Sequence, residues 1–202
     1  MGNKRYKFSR YRMYTEIEKF LKSRDLKVGK CLLVGDSLRG KGDDSVVIKN
    51  TAIISMLPKG CEILAPPYPD VDIQKMPYDD NTFEYVIADQ VLEHVRKPWI
   101  AVEEVGRVLK VGGLAILTSC MTHPVHGIPH DYWRFTPEGL KVLCEDFAKI
   151  YQCDGSGDLE MVLDCFRGKR GKRVVPGQPI EKKALVNDGK NLIQVWIIAG
   201  KL

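Results

Sequence analysis

The sequence predicts a single α/β domain built on a mostly parallel sheet, and three observations predict it. Short apolar runs at residues 30–35, 61–65, 83–89 and 112–119 have the length and composition of buried strands. Segments with helical spacing of apolar residues alternate with them. Polar and titratable groups fall just after each strand, where open α/β sheets gather ligands. A chain of 202 residues, 44% of them hydrophobic, is of one domain's length and supplies one core.

The elements follow in order. Met13, Ile17, Phe20 and Leu21 give residues 11–23 an apolar helical face. The strand at 30–35 runs into a Gly- and Asp-rich loop, 35–44. Residues 45–57 carry β-branched residues that suit a strand and a length that suits a helix, and both readings stand. The strand at 61–65 leads into "PPYPD", and the strand at 83–89 into a helical stretch, 91–110, that Pro98 splits. Gly112 and Gly113 suit a helix C-cap before the strand ending at 119. Thr136 as N-cap and Pro137 at the first position open a helix over 136–147. A strand at 148–154, a helix at 158–166 and a last strand at 192–200 complete the pattern. The domain division is a basic segment and helix over 1–29, then the α/β domain over 30–202, with a mobile basic loop at 167–190.

Lysines and arginines number 31 against 26 acidic residues, a net +5 that does not by itself imply nucleic acid. The six cysteines are scattered, with no C-x-x-C pair, which argues against a disulfide scaffold. The N-terminus has no apolar stretch of signal-peptide length, and no window reaches the roughly 18 apolar residues of a membrane span. A cytoplasmic protein is expected.

The stretch "DIQKMPYDDNTFEYVIADQVLEHVRKPWIAVEEVGRVLKVGGLAILTS" from Asp72 resembles the core of class I S-adenosylmethionine-dependent methyltransferases of the type 11-like kind. It follows their spaced pattern D-x-x-x-[LM]-P-[FY], then L-E-H, then R-V-L-K-x-G-G. "HDYWRFTPEGL" resembles the continuation in a bacterial branch of the family. The likeness is close over 72–145 and looser over 31–65. It implies a Rossmann-like fold: a seven-stranded, mostly parallel sheet with an antiparallel last strand and helices on both faces. It implies S-adenosylmethionine as cofactor and a methyl group moved to an oxygen or nitrogen of a small-molecule or glycan-like acceptor.

Residue by residue, Gly35 and Gly40 match the turn at the cofactor's methionine end, and Asp36 and Ser37 between them are expected to bind the cofactor too. Asp72 and Ile73 match the adenine-contacting pair, as part of an extra short strand at 70–73. Asp89 and Gln90 match the residues beside the cofactor's amino acid, and Leu92, Glu93 and His94 the L-E-H element. Leu33 and Ser37 stand where the family has an acid and a glycine, and no acid ends the second strand. Glu62, at that strand's start, points away, and Asp70 or Asp36 is the nearest substitute. These departures define an alternative, a binding or partner subunit that keeps the fold without catalysis.

Three of the four histidines lie between 123 and 130. The spacing Cys120, His123, His126, His130 superficially suits zinc, but Pro124 and Pro129 interrupt it, and no metal is expected. The functional reading makes His126 or His130 a general base oriented by Asp131, since an imidazole titrates near physiological pH. The structural reading is a hydrogen-bonded loop held by Asp131 and Arg134. Tyr132, Trp133 and Phe135 are read as core, with Trp133 beside Arg134 as an alternative lining of an acceptor pocket. Basic residues from Arg167 to Arg173 offer a surface for an anionic ligand or a protein partner. A nucleic-acid methyltransferase is a further alternative and is disfavoured: the loop lacks interleaved aromatics, and 89–92 lacks the [DN]-P-P-[YF] element.

Overall fold

The computed structural model describes residues 6–35, 37–39, 46–48, 52–127, 130–146, 149–168 and 173–202, with the backbone alone for 37–39 and 46–48. Its elements are β1 (Tyr6–Lys7), α1 (Tyr11–Lys22), β2 (Lys30–Val34), β3 (Ser37–Arg39), β4 (Val46–Ile48), β5 (Glu62–Leu64) and β6 (Phe83–Asp89). These are followed by α2 (Pro98–Val108), β7 (Leu109–Cys120), α3 (Pro137–Cys144), β8 (Lys149–Ser156), α4 (Leu159–Phe166), β9 (Arg173–Val174), α5 (Pro179–Ala184) and β10 (Gln194–Gly200).

The central sheet has the order β5-β2-β6-β7-β10-β8. Neighbours from β5 to β7 pair in parallel. β10 is antiparallel to both β7 and β8, so it alone runs against the rest. Each central strand is apolar on both sides because both faces are covered. Leu32, Val86, Ala115 and Ile197 meet Val102 and Val105 of α2 and Leu140 of α3 on one face. Leu33, Ile87, Ile116 and Trp196 meet Met13, Ile17 and Leu21 of α1 on the other. Full burial of one such aliphatic side chain contributes about 1.5–3 kcal/mol. α1 therefore shares a core with the sheet.

The sequence expectations hold for most elements and fail at identifiable places. The sheet has six strands among the described residues, not seven. Residues 70–73 make only an isolated bridge, Asp72 to Lys75. Pro66, Pro67 and Pro69 precede it, and prolines cannot donate to a ladder. Gly112 and Gly113 are not a helix cap: α2 ends at Val108, and the pair lies inside β7. Gly112 takes a φ of +76° there, and the pairing with β6 shifts register between Phe83 and Tyr85. Residues 45–57 resolve into β4, paired with β3, and a 3-10 turn at Ile54–Met56.

The capping signals of α3 and α4 are met by Thr136, which accepts from Gly139 N, and Asp158, which accepts from Met161 N. Within 167–190 the described residues include β9 and α5. β9 pairs with β1, and Tyr11 of α1 donates to Glu181 of α5. Residues 169–172, the centre of the basic run, lie outside the described residues. All six cysteines are free thiols. No helix among the described residues is long and apolar enough to cross a membrane.

Candidate functional site

The carboxyl ends of β2, β6 and β7 bring the expected segments to one rim. Gly35 leaves β2 with a φ of +80°, a left-handed conformation that suits glycine. A Cβ there would lie 2.6 Å from Val91 Cγ2, so the turn is also sterically closed to other residues. Ser37 begins β3, with its side chain outside the described residues, as are Asp36 and Gly40 altogether.

Asp89 ends β6 and turns inward, 5% exposed. Tyr14 Oη donates to its Oδ2 at 2.6 Å, and Thr118 Oγ1 donates to its Oδ1. Arg10 donates to Tyr14 Oη at 3.3 Å. Burial disfavours the charge on Arg10, but Asp89 and Tyr14, with Glu93, more than offset this and raise its pKa. Gln90 follows with a φ of +60°, its N–H donating to Thr118 O at 3.0 Å. A carboxylate expected beside a ligand is thus engaged with the N-terminal helix. Replacing Tyr14 with phenylalanine removes the buried hydrogen bond to Asp89 Oδ2 and is expected to lower the unfolding free energy by about 1–2 kcal/mol in urea. An unchanged midpoint would show that the hydroxyl is not part of a network.

Asp72 Oδ1 accepts from Gln74 N at 2.8 Å, closing a turn, while the Ile73 side chain is buried in the core. β5 ends at Leu64, followed by Ala65 and two prolines. Glu62 lies at the opposite end, 3.9 Å from Lys30, as its position in the strand implied.

The segment after β7 is stitched to the 3-10 turn Leu92–His94. Glu93 O accepts from Tyr132 N at 2.8 Å and Trp133 N at 3.2 Å. Trp133 Nε1 donates to Val95 O at 2.9 Å. The Glu93 side chain is fully buried. Its Oε2 accepts from Ser119 Oγ at 2.7 Å, while Oε1 has no hydrogen-bond partner among the described residues. Burial raises the Glu93 pKa, and the Ser119 hydroxyl only partly counters this.

Asp131 is the hub of the loop. It accepts from Arg134 Nη2 at 2.7 Å, from Arg134 Nη1, and from His126 N at 2.8 Å. The Arg134 bonds, assisted by His126, hold its carboxyl below the usual carboxylate range. His126 Nδ1 lies 3.1 Å from Asp131 Oδ2. The expected pairing of His126 with Asp131 is therefore present.

His130 departs from that arrangement. Its ring packs 5.5 Å from Tyr132, and its carbonyl lies 2.5 Å from His94 Nδ1. The rings of His94 and His126 are 5.0 Å apart. Only Phe135 of the three aromatic residues is core. Tyr132 is 46% and Trp133 37% exposed, and Trp133 meets the exposed Trp99 edge-on at 6.0 Å. Sequence reasoning missed Arg10, Tyr14 and Ser119. The L-E-H element pointed toward Glu93 without revealing its burial.

Residues 59–117 match the family model described as a methyltransferase domain. No protein of curated function matches the chain by sequence. Among solved structures, a SAM-dependent methyltransferase from Aquifex aeolicus is 16% identical with a TM-score of 0.55, over 96% of this chain and 93% of that one. A Burkholderia thailandensis 1,6-didemethyltoxoflavin-N1-methyltransferase is 12% identical with a TM-score of 0.54, over 93% and 77%. The cyclase SpnF is 16% identical with a TM-score of 0.52, over 92% and 80%. At these identities the likeness establishes the fold, which serves more than one chemistry.

Proposed function

We propose, for a chain that has the class I S-adenosylmethionine-dependent methyltransferase fold and a methyltransferase-domain segment at 59–117, that it transfers a methyl group from S-adenosylmethionine to an oxygen or nitrogen of a small-molecule or glycan-like acceptor. The observation that supports this reading is that Gly35, Gln90 and the segment after Cys120 follow the carboxyl ends of three neighbouring strands, β2, β6 and β7. When bound, S-adenosylmethionine supplies an electrophilic methyl group.

The residues present fit that cofactor chiefly through main chain. Gly35 makes the left-handed turn after β2, with the Val91 side chain packed against it. The half-buried Asp72 carboxylate and the Ile73 backbone suit the adenine, and Gln90 suits the methionine end. The histidine loop would form the acceptor wall. The exposed Trp99, Tyr132 and Trp133 beside it offer flat apolar faces of the kind that bind a sugar ring or an aromatic acceptor.

Methyl transfer is an in-line displacement whose main demand is positioning. Two parts are open to the imidazoles. His126, oriented by Asp131, or the exposed His130 could take the acceptor's proton, a contribution of about 10²–10⁴ in rate. Alternatively, the imidazoles could hold a Lewis acid that makes the hydroxyl more acidic.

The second reading, a partner subunit without catalysis, is favoured by the internal engagement of Asp89 and by the missing acid after β5. Calorimetry separates the two. Saturable heat with S-adenosylmethionine and with its demethylated product is expected at micromolar concentrations. Folded protein that gives no heat at millimolar ligand would overturn the enzyme reading.

A further inference from the structure

We propose that Glu93, His94 and His126 form a binding site for one divalent transition-metal cation on the histidine side of the rim. One ligand atom from each lies within 4.8 Å of the others. A cation with bonds of about 2.1 Å holds its ligand atoms about 3–4.2 Å apart. Small side-chain rotations therefore suffice to close the site.

The hydrogen bonds behind the ligands favour that use. His94 Nδ1 faces His130 O at 2.5 Å. His126 Nδ1 faces Asp131 Oδ2 at 3.1 Å and Pro124 O at 3.2 Å. All of these partners are acceptors, so Nδ1 carries the proton in both rings and each Nε2 keeps its lone pair. A carbonyl or carboxylate behind the imidazole is the arrangement that orients metal-bound histidines and raises their basicity. Asp131 is itself fixed by Arg134, so the support extends a further step.

Glu93 provides the independent observation. Its side chain is completely buried, and Oε1 lacks a hydrogen-bond partner among the described residues. A buried oxygen without a partner is costly, and a cation supplies the missing one. Ser119 on Oε2 keeps the carboxylate oriented. The two segments that carry the ligands are tied together by Tyr132 N and Trp133 N on Glu93 O. Their separation is thus built into the backbone.

The ligand set differs from the Cys120-to-His130 spacing visible along the chain: Cys120 and the His130 ring are not in the cluster. Two imidazoles and one carboxylate suit Zn²⁺, Mn²⁺ or Fe²⁺ better than Mg²⁺ or Ca²⁺. Three protein ligands leave coordination positions open. An acceptor hydroxyl is the natural occupant of one of them. That clause alone rests on the methyltransferase reading, and it gives His126 a ligand's role in place of a base's.

The test uses the full chain, stripped with a chelator and dialysed. Zn²⁺ is titrated by calorimetry and Co²⁺ by visible absorbance. One equivalent at micromolar affinity or tighter is expected, with Co²⁺ bands of a low-symmetry nitrogen and oxygen site. His94→Ala and His126→Ala should each weaken Zn²⁺ at least tenfold, and Glu93→Gln likewise where the variant folds by circular dichroism. His130→Ala should bind Zn²⁺ as the parent does. No stoichiometric binding by the parent, or binding that survives in a folded His94→Ala/His126→Ala double variant, would overturn the site. Because the readout is metal alone, Zn²⁺ binding without S-adenosylmethionine binding removes the methyltransferase reading and leaves this site standing.

Discussion

Asp131→Ala is expected to lower the unfolding free energy by about 2 kcal/mol and to weaken Zn²⁺ binding by about 10- to 100-fold. The Asp131 side chain is 2% exposed and receives both Arg134 terminal nitrogens and the His126 backbone. Its removal leaves Arg134 with its remaining bonds to loop carbonyls and the His126 ring with Pro124 O alone behind Nδ1. Breaking a fully buried pair costs about 3–5 kcal/mol; Arg134 keeps 27% of its side chain exposed, which moves the expectation lower.

The sign with pH follows from the depressed folded-state pKa of Asp131. The ionised form is the one the loop binds. The contribution is full well above the unfolded-state value of about 3.9 and is lost as pH falls from there toward the folded value. Urea unfolding of parent and variant should therefore differ near neutrality and converge in acid. A gap that stays constant down to pH 3 would show that the carboxylate's charge is not what holds the loop.

The sheet's central strands were legible because each is a short apolar run bounded by turn residues. The start of α3 was legible because Thr136 and Pro137 are local signals, with the cap's partner within three residues. The failures have the opposite character. Tyr14 reaches Asp89 across 75 positions, and no pattern within a window of the chain encodes that contact. Glu93 and His94 sit beside each other in sequence, yet their third companion, His126, arrives through the return of the loop onto Glu93 O. Reading the histidines along the chain grouped them with Cys120 and His130. The fold regrouped them by turning His130's ring toward Tyr132 and using its carbonyl instead. The glycine pair at 112–113 was legible as a special backbone point, but whether it capped a helix or bent a strand depended on the neighbouring β6.

Gly35 tests the other half of the rim. Gly35→Ala is expected to lower the unfolding free energy by about 2–4 kcal/mol and to weaken S-adenosylmethionine at least tenfold. Two separable causes act. An L-residue in the left-handed region costs about 1–2 kcal/mol, and Gly35 has a φ of +80°. The new methyl would also sit 2.6 Å from Val91 Cγ2, an overpacking conflict of about 1–3 kcal/mol unless Val91 shifts. Val91→Ala in the same chain removes the second cause and leaves the first. The double variant should therefore recover part of the stability lost by Gly35→Ala, beyond what Val91→Ala alone would predict by addition. Cofactor affinity should not recover with it if the main chain of the turn faces the ligand, because the backbone remains strained. Full recovery of both would mean that the turn serves packing against Val91 and nothing else. Recovery of stability without affinity would tie the left-handed turn after β2 to ligand binding, the role that the resemblance to methyltransferases implies for it.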